Sequence, residues 1–153
     1  LVIVGLAAGA YHGRDQQQDL RQQLLLDPSL RNRLHFPGPV GNLQQWYERS
    51  QLFVLSSRYE GFPNVLLEAM ASGCCCVAAD CPQGPAELIK DGVNGRLIPE
   101  EASLQIWVEV IDGLLFRPFQ RQRFATAAQE VRERYEPAQL ARSFVDAMES
   151  LRR

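Results

Sequence analysis

The sequence lacks an excess of charge of either sign: 16 Lys and Arg stand against 18 Asp and Glu, a formal net charge of −2. Electrostatic binding to nucleic acid needs a basic stripe, and none is found, so no nucleic-acid partner is expected. It lacks any apolar run near the twenty residues that a spanning helix requires. Its four cysteines, Cys74, Cys75, Cys76 and Cys81, lack paired C-x2-C spacing and partner histidines. Neighbours along a strand alternate faces, so these thiols cannot converge on one metal; small buried core thiols are expected instead. An initial Met is missing too. The chain opens on Leu1, directly in an apolar run, which reads as a piece of a longer protein. At 153 residues, 46% hydrophobic and 22% charged, residues 1–153 are expected to form one globular domain.

What the sequence does hold is the stretch 59–73, in which two carboxylates, Glu60 and Glu68, stand eight positions apart. Just before it, Leu52, Phe53, Val54 and Leu55 have the length and composition of a central parallel strand covered on both faces. Glu60 then lies past a strand's carboxyl end. Gly61 permits a sharp turn, and Pro63 suits a first helical residue, because its missing N–H would have had no partner there. From 65 to 71 every side chain but Glu68 is apolar, which predicts a buried helix. Asn64 and Glu68, four apart, form its one narrow polar stripe.

A buried carboxylate needs donors, so Glu68 is expected to take them from the protein or from a ligand; a vicinal diol would supply two. The unpaired N–H groups and the dipole at the helix start make a natural anion site, commonly filled by phosphate. Glu68 lies about 8 Å further along the axis. One ligand suits that span: a diphosphate over the helix start, a sugar beside Glu60 and a ribose beside Glu68. On spacing alone, a capping carboxylate and a core carboxylate satisfied by backbone explain the two glutamates as well.

The flanks alternate strand and helix. Residues 1–4 read as a strand leading through Gly5 and Gly9 to a Gln-rich helix that begins at Arg14 and carries Leu20 and Leu24, with His12 and Arg14 as exposed loop residues. A second strand at 34–36 ends in Pro37, Gly38, Pro39, Val40 and Gly41, and Asn42 caps a helix with Leu43, Trp46, Tyr47 and Ser50 on one face. A fourth strand over 74–79 turns at 80–84 into a short helix near Pro85, where Glu87 acts as a capping carboxylate. Turn signals at Asp91, Gly92, Asn94 and Gly95 precede a short strand at 96–98, and three helices with single apolar stripes follow as packing elements. This pattern predicts an α/β, doubly wound, Rossmann-like parallel sheet with helices on both faces and ligands beyond the strands' carboxyl ends. The loops around Gly38, Glu60 and Gly84 lie there.

The Glu-Gly-Phe-Pro of 60–63, the Glu-Ala-Met-Ala-Ser-Gly of 68–73, the strand ending at Ser56 and Ser57, and the Asp-Gly-Val-Asn-Gly of 91–95 carry a resemblance. Together they resemble the E-x7-E signature of the retaining GT-B glycosyltransferases called family 4 or group 1, over most of the chain. The resemblance implies the C-terminal, donor-binding half of a GT-B architecture, lacking its first strand. It implies that Glu60 contacts donor hexose hydroxyls as the catalytic carboxylate, that amides around Gly61, Phe62, Pro63 and Asn64 meet sugar and phosphate, and that Glu68 holds the nucleotide ribose. It places the nucleobase at the loop of Pro37, Gly38, Pro39 and Val40.

The implied donor is a nucleotide diphosphate sugar, UDP-linked before GDP-linked, with no cofactor and no metal. The implied acceptor is a glycan or lipid-linked hydroxyl held by a missing N-terminal domain, in the cytoplasm and in peripheral contact with the inner face of a membrane. The family's upstream Arg and Lys, which clamp the diphosphate, have no counterpart here, and its Gly-x-Gly-Pro loop is replaced at 5–9. A catalytically inactive module of the same fold, binding a nucleotide sugar or a partner, is the alternative.

Overall fold

The computed structural model describes residues 1–4, 18, 20, 22, 27–30 and 32–150. The readings made for Gly5, Gly9, His12, Arg14 and Leu24 lie outside the described residues. The chain divides into two compact units, Leu1–Leu43 and Gln44–Arg153.

In the first unit, strand β1 (Val2–Val4) pairs in parallel with β2 (His35–Gly38). Residues 18, 20 and 22 are helical, as the Gln-rich pattern predicts. Asp27 then opens a 3-10 turn, Pro28–Leu30, by accepting the Ser29 N–H and hydroxyl on one carboxylate oxygen. Strand β2 runs two residues further than expected and takes in Pro37. Proline has no N–H for the ladder, and the pairing is irregular between Val2 and Val4.

The second unit holds most of helix α1 (Leu43–Arg49) and a parallel sheet in the order β3 (Phe53–Leu55), β4 (Cys76–Asp80), β5 (Arg96–Pro99). Helix α2 (Asn64–Ala71) joins β3 to β4, and the short α3 (Pro85–Leu88) leads from β4 towards β5. Helices α4 (Leu104–Leu115), α5 (Pro118–Ala128), α6 (Val131–Arg134) and α7 (Pro137–Ser150) follow. Strand β4 is the centre of the sheet, buried from Cys76 to Ala79. Its alternation sorts the helices to two faces. Cys75 and Val77 pack with Ile98 and with Leu114, Phe124 and Ala125 of α4 and α5, whereas Cys76 belongs to the side where Tyr47 of α1 lies. Each fully buried leucine- or phenylalanine-sized side chain contributes about 1.5–3 kcal/mol of burial, so Phe124 and Leu66, both fully enclosed, anchor the α5 and α2 contacts.

All four cysteines are buried and free, as expected. Burial pushes the Cys74 and Cys75 thiols up to about 12 and about 11, and Cys76 well above its ordinary value.

Two expectations are corrected. The last apolar stripe does not pack: Leu140, Phe144, Val145 and Met148 of α7 are all exposed. The loop 91–95 is more than a turn signal. Asp91 accepts Arg96 Nε and the Leu97 N–H, while the fully buried Asn94 accepts the Lys90 N–H at 2.8 Å and donates to Leu88 O and Glu130.

Candidate functional site

Strand β3 delivers the chain into the segment 56–63, and α2 begins at Asn64. Pro63 is buried and occupies the position just before the first helical residue, one place earlier than its chemistry suggested, and its carbonyl accepts the Leu66 and Leu67 N–H groups. The Asn64 N–H is drawn back to Phe62 O at 2.9 Å. The helix start is therefore not a set of unpaired amides. Among the described residues, Val65 supplies the first-turn N–H that has no backbone acceptor.

Glu68 is exposed, which corrects the expectation of a buried carboxylate. Apolar composition alone does not bury a face: Val65 is itself 38% exposed, and α2 buries only the side of Leu66, Ala69 and Met70. Its open side carries Asn64, Val65 and Glu68 in one row. Glu60, four residues before α2 begins, is half-buried, and Gly61 and Phe62 are exposed. The Phe62 ring rests against Tyr135, centroids 5.5 Å apart.

Glu68 lines a cavity of about 420 Å³ together with Gln44, Tyr47, Glu48, Ser72 and Arg132. The Tyr47 hydroxyl donates to Glu68 Oε2 at 3.4 Å. Burial first, and then the adjacent Glu68 charge, raises the Tyr47 phenol to about 12, so it stays a donor at neutral pH. Arg132 spends its Nε on Ala71 O at 2.6 Å, satisfying a carbonyl of the last turn of α2.

A glycine joins two of the candidate loops. Gly84 has φ +93°, and a Cβ there would stand 2.6 Å from Gly61 O and 2.7 Å from Pro63 Cδ. The β4 loop thus braces the 60–63 segment through backbone contact, and no other residue fits. Gly61 itself has no left-handed φ, and a Cβ on it would meet open space. Gln83 is exposed beside this contact. Glu87 sits in the first turn of α3 without a side-chain capping bond, so the capping expected of it is absent. Arg58 and Tyr59 are exposed.

The nucleobase candidates lie in the first unit: Pro37 and Gly38 close β2, with φ +74° at Gly38, Pro39 is exposed and Val40 half-buried. His35 is an exposed strand residue. Sequence reasoning missed Tyr47 and Arg132, which lie 21 and 64 positions from Glu68 in the chain and carry no local motif.

Residues 1–133 match the family model for glycosyl transferases group 1. The chain belongs to the group 1 glycosyl transferases. Within that family it is 47% identical over 55 residues to lipopolysaccharide 1,6-galactosyltransferase of Escherichia coli K12, a match covering 36% of this chain and 15% of that protein. It is 30% identical over 110 residues to the amylovoran biosynthesis glycosyltransferase AmsD of Erwinia amylovora, covering 72% of this chain and 30% of the relative. The group 1 fold is shared with Anabaena HepE, solved in complex with UDP: TM-score 0.86 at 27% identity, over 97% of this chain and 40% of HepE. HepE has also been solved with UDP-glucose. The architecture is thus Rossmann-like α/β of the GT-B type, with parallel strands and helices on both faces of the sheet. The chain spans less than a third of the length of either curated relative.

Proposed function

We propose that this chain is the donor-binding part of a retaining glycosyltransferase that moves a hexose from a nucleotide diphosphate sugar, UDP-linked before GDP-linked, to an acceptor hydroxyl. The observation that carries this reading is the open side of α2, which begins four residues after Glu60 in the chain: Asn64, Val65 and Glu68 are exposed together there, and the Val65 N–H has no backbone acceptor among the described residues. Membership of group 1 and the likeness to UDP-bound HepE support it.

In this reading Glu60 accepts hydrogen bonds from the hexose hydroxyls and holds the anomeric carbon in place for transfer. The segment Gly61, Phe62, Pro63 and Asn64 lies against sugar and phosphate, with the space above Gly61 taken by the donor. As the glycosidic bond breaks, negative charge gathers on the leaving diphosphate. The Val65 N–H and the positive end of the α2 dipole oppose that charge where it develops. Glu68, exposed and with its second carboxylate oxygen without a partner among the described residues, takes the two ribose hydroxyls. The candidate for the base is the loop of Pro37, Gly38, Pro39 and Val40, in the first unit. No metal is expected for the transfer, as the resemblance to the group 1 enzymes implies.

The acceptor, a glycan or lipid-linked sugar, would be held by a further domain. Peripheral contact with the cytoplasmic face of a membrane belongs to the same proposal; among the described residues no helix is long and apolar enough to cross a membrane. Calorimetric titration with UDP and GDP tests the donor assignment. UDP should bind more tightly than GDP, and Glu68→Ala should weaken UDP about tenfold or more, as expected for losing two hydrogen bonds to a charged group. Equal UDP affinity in the folded variant would contradict it.

A further inference from the structure

Tyr47 is an unusual neighbour for an exposed carboxylate. Its side chain is almost fully enclosed, at 5% exposure, and its ring meets Phe53 edge-on at 5.6 Å with an interplanar angle of 86°. The surroundings include the buried Cys74 and Cys76 thiols. A phenylalanine would satisfy that packing. The hydroxyl has one use among the described residues, donation to Glu68 Oε2. Glu68, by contrast, projects from the open side of α2 with several rotatable bonds, and ordering such a side chain for a ligand costs rotamer freedom. A donor fixed on a buried ring lowers that cost by holding the carboxylate before the ligand arrives.

We propose that Tyr47 is a positioning residue for the donor nucleotide: its hydroxyl holds one oxygen of Glu68 so that the carboxylate meets a vicinal diol already oriented. This rests on the assignment of Glu68 to the ribose. At 3.4 Å the bond is long for an O–H donor. Cavity-lining Gln44 does not compete for Glu68, because its amide is engaged by Glu48 Oε1 at 2.8 Å. Arg132 is held through its Nε at Ala71 O.

The test compares UDP with 2′,3′-dideoxy-UDP on the wild-type chain, Tyr47→Phe, Glu68→Ala and the double variant, each confirmed to be folded by circular dichroism. Tyr47→Phe keeps the ring and removes only the donor. It should weaken UDP about threefold to tenfold, the range of one hydrogen bond, and leave dideoxy-UDP unchanged. In the double variant it should add nothing to the loss caused by Glu68→Ala. A Tyr47→Phe chain that binds UDP as the wild type does, while Glu68→Ala loses its preference for the diol, would overturn the positioning role and leave the ribose assignment standing. Equal weakening of both ligands by Tyr47→Phe would also overturn it, as a packing effect. If Glu68→Ala keeps the wild-type preference for UDP over the dideoxy form, the ribose assignment fails and this inference fails with it.

Discussion

Two glycines 23 positions apart separate stability from binding. At Gly84 a side chain meets an unfavourable φ and, under 3 Å away, the Gly61 carbonyl oxygen and the Pro63 ring. The dihedral costs about 1–2 kcal/mol and the overpacking about 1–3 kcal/mol. Gly84→Ala should therefore lower unfolding free energy in urea by about 2–5 kcal/mol, and a change under 0.5 kcal/mol would refute the bracing contact. Gly61→Ala meets open space, so it should leave stability within about 0.5 kcal/mol while weakening UDP-glucose binding. Unaltered binding would mean that no donor sugar lies over Gly61. The sequence singles out Gly61 as the glycine that permits a sharp turn. The structural demand falls on Gly84, because the contact runs between loops far apart in the chain, and local turn chemistry carries no trace of it.

Among the elements, α2 shows what periodicity reads and what it misses. Its existence, its start within a residue and its place after an apolar strand all follow from 52–71, because the apolar run, Gly61 and Pro63 act locally. Glu68's exposure does not follow. Apolar count predicts burial only where something covers the face, and alanine and valine tolerate water. The α7 stripe teaches the same point: Phe144 is 68% exposed, so Phe144→Ser should shift stability by no more than about 0.5 kcal/mol. A loss above 2 kcal/mol would show a packed face. The 91–95 loop runs the other way, since two turn dipeptides enclose a fully buried amide. Asn94→Ala leaves the Lys90 N–H and Leu88 O without their partner and should cost about 2–4 kcal/mol in urea unfolding. A cost near zero would show the loop to be dispensable for stability.

Across the whole molecule, the alternation of strands and helices announced the fold class, and group 1 membership accords with it. The central strand β4 carries a pH signature. Cys74, Cys75 and Cys76 titrate higher folded than unfolded, so the folded chain binds more protons once pH exceeds the unfolded thiol range near about 8.5. The contribution is complete below that value, and stability should fall as pH rises from there towards the folded values near 11 and 12. Urea midpoints across pH 7 to 10 check this: Cys→Ala replacements at 74 and 75 should flatten the decline, and an unflattened decline would place its cause elsewhere.

The central claim is that a nucleotide diphosphate lies along the open side of α2. An amide-resolved NMR titration of the chain with UDP reads it directly. The account predicts shifts concentrated at Gly61, Val65, Glu68 and Gly84. Shifts confined to 90–95 and 130–139, where a second, charged cavity lies between Lys90, Glu130 and Arg134, or no shifts at all, would contradict it.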